Sequence, residues 1–226
     1  MSASGRDASS PDSERAPRPP TTPAPLNTRR YGWGVGLLAL ALVIGFVLYT
    51  LSSHKSGTAG VPAGQPLHPF AAPLAASTLN GDANLNPPCT LARHDPRALN
   101  VCLLVKRGPL VLGFFVTNSS KCEQEVGAMQ ALARRREFRG VQFAAIAVNG
   151  SHVGTAKTVR THDWTIPVAY DADGAVGGLY GVTACPLLEL ARRGGTVAER
   201  LIGEHWISPG ALAARVRTLL GATRPR

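Results

Sequence analysis

Leu110 to Thr117 (LVLGFFVT) is an apolar run without polar alternation. A strand of that kind is covered on both faces, so it belongs near the middle of a sheet with helices on each side. The chain then turns polar at once, in Asn118-Ser-Ser-Lys-Cys122-Glu-Gln-Glu125. Ser119 or Ser120 is suited to cap a helix there, and Glu123 falls in its first turn, where an acidic side chain meets the positive end of the helix dipole. The helix is expected to run to about Arg136.

Beyond this helix, strands and helices alternate. Val141 to Val148 reads as a second buried strand, ended by Asn149-Gly150, and Ser151 to His162 as a polar helix. Trp164 to Tyr170 reads as a third strand, closed by Asp171-Ala-Asp-Gly174, and a short helix leads to Cys185-Pro186. Leu187–Ala191 and Thr196–Leu201 are strands joined through Arg192-Arg-Gly-Gly195, a hairpin signal. Ser208 precedes a last amphipathic helix with Leu212, Val216, Leu219 and Leu220 on one face. The order β-α-β-α-β-α-β-β-α predicts an α/β fold, a mixed central sheet flanked by helices.

Tyr31 to Leu51 holds 21 residues and no charge, about the length a helix needs to cross a bilayer. Arg29-Arg30 precede it and only Lys55 and His54 follow closely. The positive-inside bias then puts the N-terminus in the cytoplasm and the rest outside the cell membrane. We read 31–51 as an uncleaved transmembrane signal anchor rather than a cleaved signal peptide, whose apolar core is normally only about 7–15 residues. Residues 1–30, rich in Ser, Pro, Arg and Thr, read as a disordered cytoplasmic tail. Residues 52–86, rich in Gly, Pro, Ala and Asn, read as a linker, and 87–226 as the folded domain.

The net charge is +10. From Asn86 onward there are 18 basic and 10 acidic residues, spread along the chain. No nucleic-acid motif is present and aromatics do not interleave with the basic residues, so nucleic acid is not an expected partner. All four cysteines lie after the apolar run 31–51, and an even number in an exported domain suggests disulfides, in any of three pairings.

The apolar strand ending at the Cys122 turn, Glu125 three residues on, the block Asp171-Ala-Asp-Gly-Ala-Val-Gly-Gly-Leu-Tyr-Gly-Val182, and Pro186 four residues later together resemble the thioredoxin-like superfamily. Within it, they are most similar to the membrane-anchored TlpA/ResA-like redoxins, over about residues 98–221. The resemblance implies a thioredoxin-like fold and Pro186 in the cis form, facing the active-site turn. It puts Ser119 at the attacking position of the usual Cys-x-x-Cys and Cys122 at the resolving one. Asn118 stands where Trp is usual, Gly127 where a helix-kinking Pro is common, and Cys185 where a Thr or other residue precedes the cis-proline.

A serine hydroxyl supplies no thiolate for disulfide exchange. The resemblance instead implies that Cys185 lies near Cys122. Three readings stay open: a redox pair with Cys122 as nucleophile and Cys185 as its partner, a structural bridge, or two free thiols. Cys89 and Cys102 read as a structural disulfide. Pro186 and Ser119 are the expected substrate-binding residues, for protein thiols or disulfides. The alternative function is a non-catalytic binding module whose cysteines act as staples. Peroxide reduction of the peroxiredoxin type is a third, weakened because Ser119 removes the peroxidatic sulfur. None of these readings needs a metal or a cofactor.

Overall fold

The computed structural model describes residues 28–53 (side chains over 32–47), 59–90, 92 and 94–221. The tail expected over 1–30 falls almost wholly outside the described residues. The chain divides into two compact units, Met1–Lys55 and Ser56–Arg226.

The first unit holds one helix, α1 (Thr28–Ser53). Leu37, Leu42 and Phe46 are among its exposed large side chains. Among the described residues no helix is long and apolar enough to cross a membrane, so the anchor expected over 31–51 rests on the sequence.

The second unit contains β1 (Ala71–Pro73), β2 (Ala98–Asn100), α2 (Val101–Arg107), β3 (Leu110–Phe115), α3 (Ser120–Ala133), β4 (Gln142–Val148), α4 (His152–Thr161), β5 (Val168–Asp171), α5 (Ala175–Leu179), β6 (Leu187–Ala191), β7 (Val197–Ile202) and α6 (Pro209–Gly221). Five strands form one sheet in the order β5-β4-β3-β6-β7. β3, β4 and β5 are parallel, β6 runs antiparallel to β3, and β7 antiparallel to β6. The apolar run 110–117 therefore sits at the centre, as its lack of alternation requires: Phe114 faces Ile146 on one side and Leu187 on the other.

Side chains alternate between two cores. Val111, Phe115, Ala145 and Leu188 pack with Val126 and Met129 of α3 and with Leu212 and Val216 of α6. Leu110, Leu112, Phe114 and Ile146 pack on the opposite face with Leu104 of α2, Val176 of α5, Phe70 and Tyr180.

Four differences from the sequence reading have physical causes. The linker expected over 52–86 is folded from Ala59 onward, so the domain begins well before residue 87. Val61, Phe70 and Ala72 are buried. The backbone of this stretch bonds along the far edge of the sheet, Gly64 N donating to Val197 O (2.8 Å), Val197 N to Gln65 O (2.9 Å) and Leu67 N to Gly195 O (2.8 Å). Its glycines serve turns, Gly60 at φ +87° and Gly64 at φ +88°. Second, the strand expected over 164–170 begins only at Val168. Gln130 Oε1 takes the Thr165 and Ile166 N–H groups (2.7 and 3.0 Å), and Pro167 has none to give. Third, α3 stops at Ala133 instead of Arg136, and a single 3₁₀ turn (Arg136–Phe138) inserts Phe138 into the core. Fourth, α2 and the β1–β2 ribbon had no counterpart in the sequence reading.

Candidate active site

β3 ends at Phe115, and the chain must turn before α3. Asn118 makes that turn at φ +64°, a left-handed conformation that Asn tolerates better than most residues. Its N–H donates to Glu123 Oε1 (2.8 Å). Ser119 occupies the N-cap position, but its hydroxyl makes no capping bond. Glu123, rather than the expected serine, is the side chain that ties down this helix start.

Cys122 sits in the first turn of α3 and is 4% exposed, in the core with Val126 and Met129. Cys185 lies on the loop between α5 and β6, half-buried, and the Cys185–Pro186 bond is cis. The structure brings these two cysteines together as a disulfide, Cα atoms 5.6 Å apart. Cys89 and Cys102 form a second one, with Cα atoms 5.3 Å apart, at the start of α2. Pro186 O accepts from Gly203 N (3.0 Å), which fixes the loop before the 3₁₀ turn Glu204–Ile207. Lys121 pairs with Glu204 (3.0 Å) across that junction. Pro186 thus borders the Cys122 turn, and Ser119 lies on the turn itself.

Glu125 is fully buried behind the disulfide, its Oε2 3.9 Å from Cys185 Sγ. The Leu187 N–H donates to its carboxylate, yet burial wins and holds its pKa well above the usual carboxylate range. Its Oε1 finds no hydrogen-bond partner among the described residues. In the sequence Glu125 is one of two acidic residues on this helix, part of the resemblance but with no role assigned to it. Its burial and its place beside a sulfur become visible only once β6 packs over α3.

His162, at the C-terminal end of α4, is a further residue beside the turn. Its Nε2 meets Glu123 Oε2 at 3.2 Å, and its ring stacks on Trp164 at 4.9 Å. A cleft of about 620 Å³ lined by Asn118, Ser120, Lys157 and Thr158 lies on one side of the Glu123–His162 pair. A cleft of about 390 Å³ lined by Gln124, Gly127, Ala128, Ile207 and Pro209 lies on the other. The block from Asp171 serves structure: its carboxylate accepts from Val176 N (3.1 Å) and Gly177 N (2.8 Å), capping α5. Among the described residues no group of three or more His, Cys, Asp or Glu side chains converges to hold a metal ion.

The sequence profile of the AhpC/TSA family matches residues 87–200, just over half of the chain. A thiol-disulfide oxidoreductase ResA of Bacillus cereus is 30% identical over 94 residues, 42% of this chain and 54% of that protein. ResA of Oceanobacillus iheyensis is 27% identical over 94 residues, 42% of this chain and 49% of that protein. The chain thus spans about half the length of the curated relatives it matches. Among solved structures, a putative thiol:disulfide interchange protein DsbE from Chlorobium tepidum superposes with a TM-score of 0.55 at 19% identity, covering 72% of this chain and 98% of that one. The peroxidoxin BcpB from Mycobacterium tuberculosis superposes with a TM-score of 0.55 at 17% identity, with the same coverage. These likenesses show that the fold is thioredoxin-like.

Proposed function

The chain belongs to the AhpC/TSA family, and from that premise we propose that it is a membrane-anchored thiol–disulfide oxidoreductase that works through Cys122 and Cys185. One observation carries the reading: the two sulfurs are bonded to each other between the α3 turn and the cis-proline loop, with the buried Glu125 carboxyl 3.9 Å from one of them. A disulfide with an acid in contact is equipped for exchange. A thiolate attacks one sulfur, a mixed disulfide forms, and the other sulfur leaves as thiolate. Glu125, whose carboxyl burial biases toward its protonated form, takes up and returns the proton at Cys185. Cys122 lies near the positive end of the α3 dipole, where a thiolate is favoured.

The partners are protein thiols or disulfides, in keeping with the relatives named for that chemistry. Ser119, partly exposed, borders the docking surface, while Pro186, which is buried, sets the course of the loop that carries Cys185. No cofactor is required, because the electrons pass between sulfur pairs. The uncharged stretch 31–51 behind Arg29-Arg30 supports an anchor with residues 59–221 on the extracytoplasmic side. Peroxide reduction at position 119 has no support, since Ser119 carries no sulfur.

One observation favours a second reading, a binding module with staples: Cys122 is almost inaccessible. Disulfide mapping of the full chain in detergent, across a graded thiol redox buffer, separates the two. A Cys122–Cys185 bond that opens near about −200 mV, with Cys89–Cys102 still closed, supports the oxidoreductase. A bond that resists to below about −300 mV overturns it.

A further inference from the structure

We propose that Cys185, on the cis-proline loop, carries the mixed disulfide with the partner protein, and that Cys122, on the turn, resolves it, the reverse of the redox-pair reading in which Cys122 is the nucleophile. This inference rests on the oxidoreductase reading above and assigns the roles within it.

Access is the first ground. Thiol–disulfide exchange depends on which sulfur an incoming thiolate can reach. Cys122 is 4% exposed and packed among Val126 and Met129. Cys185 is half-buried, and the residues leading to it, Gly181, Thr183 and Ala184, are exposed. A partner approaching along that loop meets Cys185 from solvent. Reaching Cys122 first would mean entering the α3 core.

The leaving sulfur is the second. When Cys185 is attacked, the electron pair goes to Cys122. That residue stands in the first turn of α3, three positions after the N-cap Ser119, beside Lys121. The helix dipole and a neighbouring cation both favour a thiolate there, and a sulfur that is stable as thiolate leaves faster. Cys185 has instead a proton donor and acceptor, Glu125 Oε2 at 3.9 Å. The sulfur that must gain and lose a proton in each turn is the one that touches the acid.

The position of the serine is the third. With Ser119 in the outer place of the turn, no second sulfur remains there to receive a substrate, and the less buried cysteine of the site lies on the facing loop.

The steps balance. In reduction, the Cys185 thiol passes its proton to the Glu125 carboxylate, which later returns it to the leaving thiolate, and Cys185 as thiolate attacks a partner disulfide R–S–S–R′. The Cys185–S–S–R bond forms and R′–S⁻ leaves. Cys122 thiolate then attacks Cys185 Sγ, R–S⁻ leaves, and the Cys122–Cys185 bond closes. Two electrons have passed from the protein pair to the partner. Oxidation of a partner dithiol runs through the same adduct backwards.

The test uses the oxidised full-length chain in detergent micelles, with reduced glutathione as the probe thiol. After a short reaction and acid quench, free thiols are blocked with N-ethylmaleimide and the adducts located by tandem mass spectrometry. Glutathione on Cys185 with maleimide on Cys122, in roughly tenfold excess over the reverse pattern, is the expected result. Glutathione mainly on Cys122 overturns the assignment and leaves the oxidoreductase reading standing. A Cys122–Cys185 bond that stays closed, with neither adduct at any glutathione concentration, overturns both. Because this measurement needs no substitution, it does not depend on a variant folding. As a second readout, Cys185 in Cys122→Ser is expected to react with 5,5′-dithiobis(2-nitrobenzoate) about tenfold faster than Cys122 in Cys185→Ser, and the opposite order overturns the assignment.

Discussion

The two faces of the sheet carry the same ingredients, one disulfide and one fully buried glutamate each, arranged to opposite ends. On the α3 face, Glu125 lies against Cys185, and the disulfide joins a helix start to a loop with exposed residues. On the other face, Glu189 lies beneath the segment around Gly60. Val61 N donates to its Oε1 (2.5 Å), and Arg200 lies close enough to lower its pKa while donating to Gly60 O (3.2 Å). The Cys89–Cys102 bridge on that face closes the start of α2, where Asn100 Oδ1 caps Cys102 N (3.0 Å). A buried carboxyl set against a sulfur is placed to move a proton. A buried carboxyl set against a backbone N–H and a guanidinium is placed to hold a strap.

The most severe break in this comparison is removal of a sulfur from each face. Cys185→Ala or Cys122→Ala is expected to lower catalysed disulfide exchange by a factor on the order of 10³. The double change Cys89→Ser with Cys102→Ser should leave that rate nearly intact while costing about 3 kcal/mol of stability, measured by urea unfolding.

Gly60→Ala attacks the strap alone. A Cβ there would lie 2.2 Å from Glu189 Oε1 and 2.6 Å from the Arg200 Cδ, at a φ of +87°. A loss of about 3 kcal/mol is expected, with fast amide exchange confined to residues 59–67.

The two glutamates part most clearly under titration. Burial raises Glu189 from 4.5 to about 7, so the folded state binds a proton that the unfolded chain releases. Its contribution to stability is complete below about pH 4.5 and is lost as pH rises through about 7, at most about 3 kcal/mol. Glu189→Gln should flatten that slope in unfolding midpoints taken from pH 4 to 8, without slowing exchange. Glu125→Gln should instead slow exchange by about 10², because the proton carrier at Cys185 is gone. Equal effects of the two changes on rate would erase the distinction between the faces. The smallest expected effect is at the turn: Asn118→Ala should cost about 1 kcal/mol, and Asn118→Gly nothing, since φ there is positive.

Much of this architecture is legible in the chain. LVLGFFVT has no polar alternation, and it is the central strand; the alternation after it, with the closing hairpin, yields the strand and helix order. Local pattern carries those elements. The strap is different. Its Gly- and Pro-rich composition reads as a linker, and it orders only because Val61 and Leu67 find partners more than a hundred residues away. The short strand at Val168 escapes for a similar reason, Gln130 on α3 having claimed the N–H groups that a ladder would use. At the site, the resemblance to thioredoxin-like proteins marks Cys122, Cys185 and Pro186. Which sulfur faces solvent, and that Glu125 is buried against one of them, depends on how β6 and its preceding loop close over α3. Periodicity does not carry that information.

The strap has a consequence for how the molecule is made. Val61 and Glu189 are 128 residues apart in sequence, and Gly64 and Leu67 bond to the β7 hairpin. A growing chain must therefore produce nearly the whole domain before the segment that emerged first has anything to seat against. Contacts of such long sequence separation form late, since the loop they close has to be ordered beforehand. The first part of the domain to leave the ribosome is the last to find its place, and until then the edge formed by β7 stays open to any other extended chain.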